Sequence, residues 1–570
     1  MVVGLLFSCY LLAGLLGLQA HTDPSEMDTT AYLSTAYQIR ETGGALNHIQ
    51  NCLTGVYREA TQHPLYPLVL SGFARQDIQF FIHAKWASYW IGFLLFGVYF
   101  FTVRKILGTS EALVGLCLLV TSATYLHFST MIACESLLSV FFLLFWFFAA
   151  KGFENQKWWI AAGLSAGFAF LTKSLAILAL PIFILSVLAI SCQRKNNFFK
   201  SQYFYLFFAA FFLISSPLLM RNLKVYGTPF YSDSSAVLWI DQWRDYYRAD
   251  IKENPPTLAG YLKTHPPAAI ASTFFKGFFE RNPQMIVDGL KPFAFWENPI
   301  NLNKLQGFHA KTVKWQSLWA LSLIFLCLAG LWKMRKRPET VLAVFSMAVF
   351  LVFVGWYSKV FSGSVPTRLL FPILFFIFIF ASRAVCDAII YFFSLVKSAD
   401  AGRWIVFSAG IYSLVYLLCL GNHFDWKKMD ISKSCTLNPI FVEQLRWVDG
   451  HLRQGEKIMV GGIFMGNIFY FESQIRGDVV TWPQVKNLEE LWIFAHKKSV
   501  RYAILDLSTA AYNTAVYHDY FQVGPNVGLR KMQDFPAPFY ELEGASKIPP
   551  LYLIYELDYA REGQEGWLDA

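Results

Sequence analysis

Apolar runs long enough to cross a bilayer recur along this chain, and they leave few folds open to it. No charged residue interrupts Ile91 to Thr102 or Leu137 to Ala150, and each run sits in a window long enough for a membrane helix. With 55% hydrophobic and only 15% charged residues among 570, a soluble globule of this size is excluded. Lipid must bury most of the apolar surface, as a set of helices that satisfy their own backbone hydrogen bonds.

Apolar spans are expected at about 2–20, 80–103, 111–130, 132–150, 158–172, 174–192, 202–220, 314–332, 340–357, 368–395 and 403–421, roughly eleven crossings. Basic residues cluster in alternate loops: Arg104 and Lys105, Lys151 and Lys157, Arg194 to Lys200, Lys333 to Arg337, then Lys397 and Arg403. Short cytoplasmic loops retain Lys and Arg, so this face is assigned to the cytoplasm, together with the N-terminus. The net charge of +9 is thereby explained without nucleic acid. Parity puts the loops 21–79 and 221–313 and the tail beyond Gly421 on the opposite face. A cleaved signal peptide at the first span would not alter that placement.

The expected architecture is an α-helical polytopic membrane domain over 1–421 and a soluble extracytoplasmic α/β domain over 422–570. In the tail, helical patterns at Pro439–Gln454 and Val485–Lys497 alternate with strand patterns at Lys457–Gly461 and Tyr502–Leu505. Gly461-Gly462 is too little for a nucleotide site. Seven of the nine cysteines lie in apolar segments; Cys52 and Cys435 lie in polar ones, where a disulfide is conceivable. The absence of any Asn-x-Ser/Thr sequon leans toward a bacterial inner membrane.

Several polar residues fall where the membrane makes them costly. Asp28 opens an amphipathic helix, Thr29 to Arg40, stopped by Gly43-Gly44; with Ser25 it reads either as a capping group or as a general base for an acceptor hydroxyl. His63-Pro64-Leu65-Tyr66-Pro67 is a rigid turn in which His63 reads as a solvated loop residue or a ligand. Glu135, between two apolar spans, reads as an interfacial acid with water access or as one facing a site. Lys173, Arg221 and Arg368 lie at span ends on the outer face, where they anchor to headgroups or meet a lipid phosphate. Arg383 and Asp387, one turn apart, read as a structural pair.

Five separated features then resemble the C-type glycosyltransferase superfamily, in particular its protein O-mannosyltransferase and lipid A aminoarabinose transferase branch. They are Asp28-Thr-Thr-Ala-Tyr-Leu-Ser-Thr-Ala with Thr42-Gly43, His63-Pro-Leu-Tyr66-Pro, Glu135 opening the fourth span, Gly163-Leu-Ser-Ala-Gly-Phe-Ala-Phe-Leu-Thr-Lys173, and Arg221-Asn222 with Tyr226-Gly-x-Pro-Phe. They cover residues 1 to about 235, with Arg368 fitting more loosely. The resemblance implies a polyprenyl-phosphate sugar donor, Asp28 as catalytic base supported by Glu135, and His63, Tyr66, Lys173, Arg221, Asn222, Tyr226 and Arg368 around the substrates. Thr29 stands where the family often has Glu, and His63 where it often has a basic residue or a second proline. No cofactor or metal ligand is assigned, and dependence on a divalent metal stays open. The expected activity is inverting transfer of the sugar to a lipid, glycan or protein hydroxyl. The competing expectation is a polytopic transporter or flippase without transferase chemistry.

Overall fold

A computed structural model describes residues 1–20, 28–60, 62–75, 79–242, 255–292, 313–360, 367–395, 401–423, 447, 450–453, 455–460, 479–481, 488–505, 529–536 and 551–557. The chain is an integral, multi-pass membrane protein with a helical body. Its first helices are α1 (Val2–Ala20), α2 (Thr29–Glu41), α3 (Gly44–Thr54), α4 (Leu65–Ser71), α5 (Gln79–Ile106), α6 (Thr109–Val120), α7 (Ala123–Thr130), α8 (Glu135–Gly152), α9 (Trp158–Thr172), α10 (Ala179–Arg194) and α11 (Gln202–Tyr226). Three short helices follow, α12 (Leu258–Thr264), α13 (Pro267–Lys276) and α14 (Asn282–Gly289). The body closes with α15 (Val313–Met334), α16 (Pro338–Tyr357), α17 (Phe371–Leu395) and α18 (Ala401–His423).

Nine helical segments among the described residues are long and apolar enough to span a membrane, and each overlaps an expected span. The other two expected spans fall on shorter helices. The stretch 111–130 breaks after Val120, where the Ser122 side chain accepts from the Tyr125 backbone N–H and caps α7. Trp158–Thr172 forms α9, whose 15 residues rise only about 22 Å.

The core is centred on α17, where every residue from Phe371 to Ser382 is buried. A helix apolar on all sides belongs inside a bundle. Two glycines four apart on α9 permit a close approach to α11. A Cβ at Gly163 would collide with the Phe207 carbonyl oxygen, and one at Gly167 would lie 2.9 Å from Ile214 Cβ. The C-terminus of α9, and with it Lys173, is fixed by this contact.

The ends of the helices sort by charge. α5 closes on Arg104 and Lys105, α8 on Lys151, α10 on Arg194 and α15 on Lys333. At that same end Lys333 meets Asp387 at 2.8 Å, and Arg383 meets both Asp387 at 2.9 Å and Glu111 at 2.6 Å. The expected Arg383–Asp387 pair is thus part of a four-residue clamp joining α6, α15 and α17. Glu135, Lys173, Arg221 and Arg368 lie at or beyond the opposite ends of α8, α10, α11 and α17.

The tail folds around a mixed sheet ordered β2-β1-β3-β5-β4, with β1 (Lys457–Val460), β2 (Val479–Thr481), α19 (Leu488–Lys497), β3 (Val500–Leu505), β4 (Leu529–Pro536) and β5 (Leu551–Leu557). The strands β2, β1 and β3 run parallel, and β5 is antiparallel to β3 and β4. The expected strands at Lys457 and Tyr502 and the helix ending at Lys497 are present. Cys435, Gly461-Gly462 and most of Pro439–Gln454 lie outside the described residues, as do Ser25 and the rest of the segment before Asp28.

Candidate functional site

Asp28 stands at the N-cap position of α2, but its side chain makes no capping bond. The capping reading is corrected here: the carboxylate turns instead to Arg368, with Nη1 to Oδ2 at 2.7 Å. Two chain-distant segments produce this pair, since Arg368 sits on a single 3-10 turn, Thr367–Leu369, ahead of α17. Both side chains stay partly exposed, 31% for Asp28 and 22% for Arg368.

A second ion pair lies alongside. Glu135 is the first residue of α8, and Lys173 is an extended residue between α9 and the 3-10 turn Ser174–Leu178. Their Nζ and Oε1 are 2.6 Å apart, with the Glu135 side chain only 2% exposed. The interfacial, water-bathed reading of Glu135 gives way to a buried acid neutralised by a specific cation. Arg368 feels the charges of Asp28 and Glu135, and Lys173 those of Glu135 and Arg368, so the four groups form one network. The Asp28 carboxylate, ahead of all other influences, holds the Arg368 guanidinium well above its usual pKa. Tyr32, one turn beyond Asp28, ties the two acids together: its backbone N–H donates to the Asp28 carbonyl, and its hydroxyl lies 3.0 Å from Cys134 Sγ, next to Glu135.

Arg221 occupies a separate box. It lies in the last turns of α11, 1% exposed, with its guanidinium 5.7 Å from the ring centroids of both Tyr57 and Tyr226. Its Nε and Nη1 are buried and find no hydrogen-bond partner among the described residues, and neither does the Tyr57 hydroxyl. Unmet donors of this kind cost on the order of 1–3 kcal/mol each, more when charged, so the box suits an incoming anion. Asn222 shapes the wall: its Nδ2 donates to the Pro229 and Tyr231 carbonyls, both at 2.9 Å. Tyr226 stacks on Tyr231 at 3.9 Å and donates its hydroxyl to the Arg58 carbonyl.

His63 joins the two regions. Its Nδ1 is 2.6 Å from the Phe170 carbonyl, which only accepts, so Nδ1 carries the proton and Nε2 keeps its lone pair. The solvated-loop reading is corrected, since His63 is 6% exposed. Burial pushes its pKa down to about 4; the Phe170 carbonyl opposes this, while the Arg221 and Lys173 charges add to it. Tyr66 is fully buried, shares a 2.6 Å hydrogen bond with Ser88 and meets Tyr32 edge-on, so it supports the α2–α4 contact from behind.

His48 and Cys52, which the sequence reading does not single out as a pair, also line the Arg221 box. They are both buried on α3, with His48 Nε2 and Cys52 Sγ 3.7 Å apart and both in the Arg221 field. Their four-residue spacing on a short helix is the signal that marks them. Cys52 is a free, buried thiol. Among the described residues no three His, Cys, Asp or Glu side chains gather to hold a metal, and Asp28 and Glu135 each already hold a cation.

Comparison with known proteins places this geometry in context. Residues 67–220 match the family model described as dolichyl-phosphate-mannose-protein mannosyltransferase. No curated protein sequence matches the chain. Among solved structures, apo ArnT from Cupriavidus metallidurans aligns with a TM-score of 0.55 at 11% identity, over 99% of both chains. The same protein bound to undecaprenyl phosphate aligns with a TM-score of 0.52, again at 11% identity over 99% of both. The archaeal oligosaccharyltransferase AglB from Archaeoglobus fulgidus, in complex with an inhibitory peptide and a dolichol-phosphate, gives 0.51 at 13% identity, over 92% of this chain and 72% of that one. At these identities the likeness is one of fold.

Proposed function

From a chain that has the fold of the C-type glycosyltransferases, which ArnT and AglB share, we propose an inverting glycosyltransferase that moves a sugar from a polyprenyl-phosphate donor to an acceptor hydroxyl on the extracytoplasmic face. The observation that carries this reading is the meeting of Asp28, Arg368, Glu135 and Lys173 in one network, from four segments spread over 340 positions. A sugar on a lipid phosphate brings its own leaving group. The protein then has to supply a base on one side of the anomeric carbon and cations on the other.

Asp28 supplies the base. Its Oδ2 is engaged by Arg368, which leaves Oδ1 for the acceptor hydroxyl. As the acceptor oxygen bonds to the anomeric carbon, its proton passes to Asp28 and the carbon–oxygen bond to phosphate breaks. Attack opposite the leaving group inverts the anomeric centre, as in single-displacement glycosidases. Lys173, Arg368 and the Arg221 box with Tyr57, Tyr226, Asn222 and His63 hold the departing phosphate. Glu135 keeps Lys173 in place.

The test supplies the purified protein with polyprenyl-phosphate sugars and follows release of polyprenyl phosphate. Asp28→Asn is expected to lose at least a hundredfold in turnover while still binding donor, in keeping with removal of a general base. Undiminished turnover in Asp28→Asn would remove the assigned base. Donor binding without release of polyprenyl phosphate in the unaltered protein would favour a transporter.

A further inference from the structure

Charge bookkeeping across the transfer step singles out Arg368 for a second task, one that rests on the donor reading above. Before transfer, Asp28 is an anion paired with Arg368 at 2.7 Å, and a sugar phosphodiester carries one negative charge. When the acceptor oxygen bonds to the anomeric carbon, Asp28 takes the acceptor proton and becomes neutral. The electron pair of the broken carbon–oxygen bond stays with the phosphate, which becomes a monoester with a second negative charge. Total charge is unchanged, but one unit has moved from Asp28 to the phosphate. At that moment the Arg368 guanidinium loses its ionic partner, and a stronger one appears beside it.

We propose that Arg368 switches partner during the reaction, from the Asp28 carboxylate to the departing phosphate, and so couples deprotonation of the acceptor to departure of the leaving group. Three observations support the exchange. The Arg368 side chain is 22% exposed, so it has room to move, unlike Arg221 at 1%. It is held through one end, Nη1, by a residue on another helix. It shares the field of Lys173, which in turn acts with Arg221 on His63, so the cations form a continuous series from the base to the Arg221 box. Glu135 has its own cation in Lys173, 2.6 Å away, and takes no part in the exchange.

The consequence is measurable without turnover. Asp28→Asn imitates the base after it has taken the proton, and so should release Arg368 to a phosphate monoester. The probe is undecaprenyl phosphate, titrated into the full-length protein in detergent. Asp28→Asn is expected to bind it roughly tenfold or more tightly than the unaltered protein, the scale of one charge-assisted hydrogen bond. The gain should disappear when Arg368→Gln is added and be partly kept with Arg368→Lys. It should also shrink below about pH 6, where the monoester loses its second charge. A structural role for the pair would give no gain in Asp28→Asn. Equal or weaker binding in Asp28→Asn, or a gain that survives Arg368→Gln or Arg368→Lys unchanged, would overturn the switch. Absence of undecaprenyl phosphate binding in the unaltered protein would overturn the donor reading itself, and the switch with it.

Discussion

Burial of the His63 imidazole, with the nearby Arg221 and Lys173 charges, keeps it neutral down to about pH 4 in the folded chain. The unfolded chain accepts that proton near pH 6.5, so its stability contribution is complete above 6.5 and is lost as pH falls towards 4. His48, also pushed down to about 4 by burial and then by Arg221, works in the same window. At 1.36 kcal/mol per pKa unit, each histidine contributes roughly 3 kcal/mol at most across that interval. The thermal midpoint of the purified protein is therefore expected to fall between pH 6.5 and 4. His63→Asn, which keeps a donor for the Phe170 carbonyl but cannot titrate, should flatten part of the fall; an unchanged profile would show that His63 titrates freely. At this scale the sequence discloses identity but not surroundings. His63 lies between Gln62 and Pro64 and reads as a solvated turn, yet it is buried and its hydrogen-bond partner is a carbonyl 107 positions away. Asp28 likewise has the local signature of a helix cap, while Arg368, its real partner, is 340 positions distant. Arg221 and Lys173 drew notice because each is a cation at a span end on the face that the positive-inside tendency leaves poor in Lys and Arg.

Between residue and bundle stand the elements that aim these side chains. α9 is too short to cross about 30 Å of hydrocarbon as a helix, and it places Lys173 only because Gly163 and Gly167 let it lie against the α11 backbone. Gly163→Leu is expected to destabilise the protein by about 1–3 kcal/mol through overpacking, and to weaken donor binding by moving Lys173 away from Glu135. Gly4→Leu, at a position with nothing within 4 Å of an added Cβ, is the control and should change neither. Equal thermal midpoints for the two variants would mean that α9 packs elsewhere. The periodic apolar stretches made most helices readable, because a membrane span advertises itself by length and composition alone. What they did not disclose were the interruptions. The break between α6 and α7 depends on Ser122 capping a new helix inside an apolar stretch, and α3 begins where Gly43, at φ +96°, turns the chain after α2. Gly43-Gly44 reads as a stop, and in the fold it is also a start.

Over the whole molecule, the two ends of the bundle carry different chemistry. One end gathers Arg104, Lys105, Lys151, Arg194 and the Lys333–Asp387–Arg383–Glu111 clamp; the other gathers Asp28, Glu135, Lys173, Arg221 and Arg368. The first set has the surplus of positive charge that retains loops in the cytoplasm, while the second balances acids against cations around a candidate site. A donor anchored in lipid must present its phosphate at the headgroup level, so a site at one end of the bundle is reached sideways from that leaflet alone. The orientation we propose from the charge asymmetry is testable without any substrate. Leu46→Cys, 81% exposed on α3, should react with a membrane-impermeant maleimide in right-side-out vesicles, and Lys105→Cys, exposed at the end of α5, only in inverted ones. The exposed Cys192, two residues before Arg194 near the end of α10, is a built-in reporter that should follow Lys105→Cys. Labelling of Leu46→Cys and Lys105→Cys from the same side would contradict the bundle itself. Labelling of each from the side opposite to that expected would put the acids and the Arg221 box in the cytoplasmic leaflet, where the donor would have to be met before it is flipped.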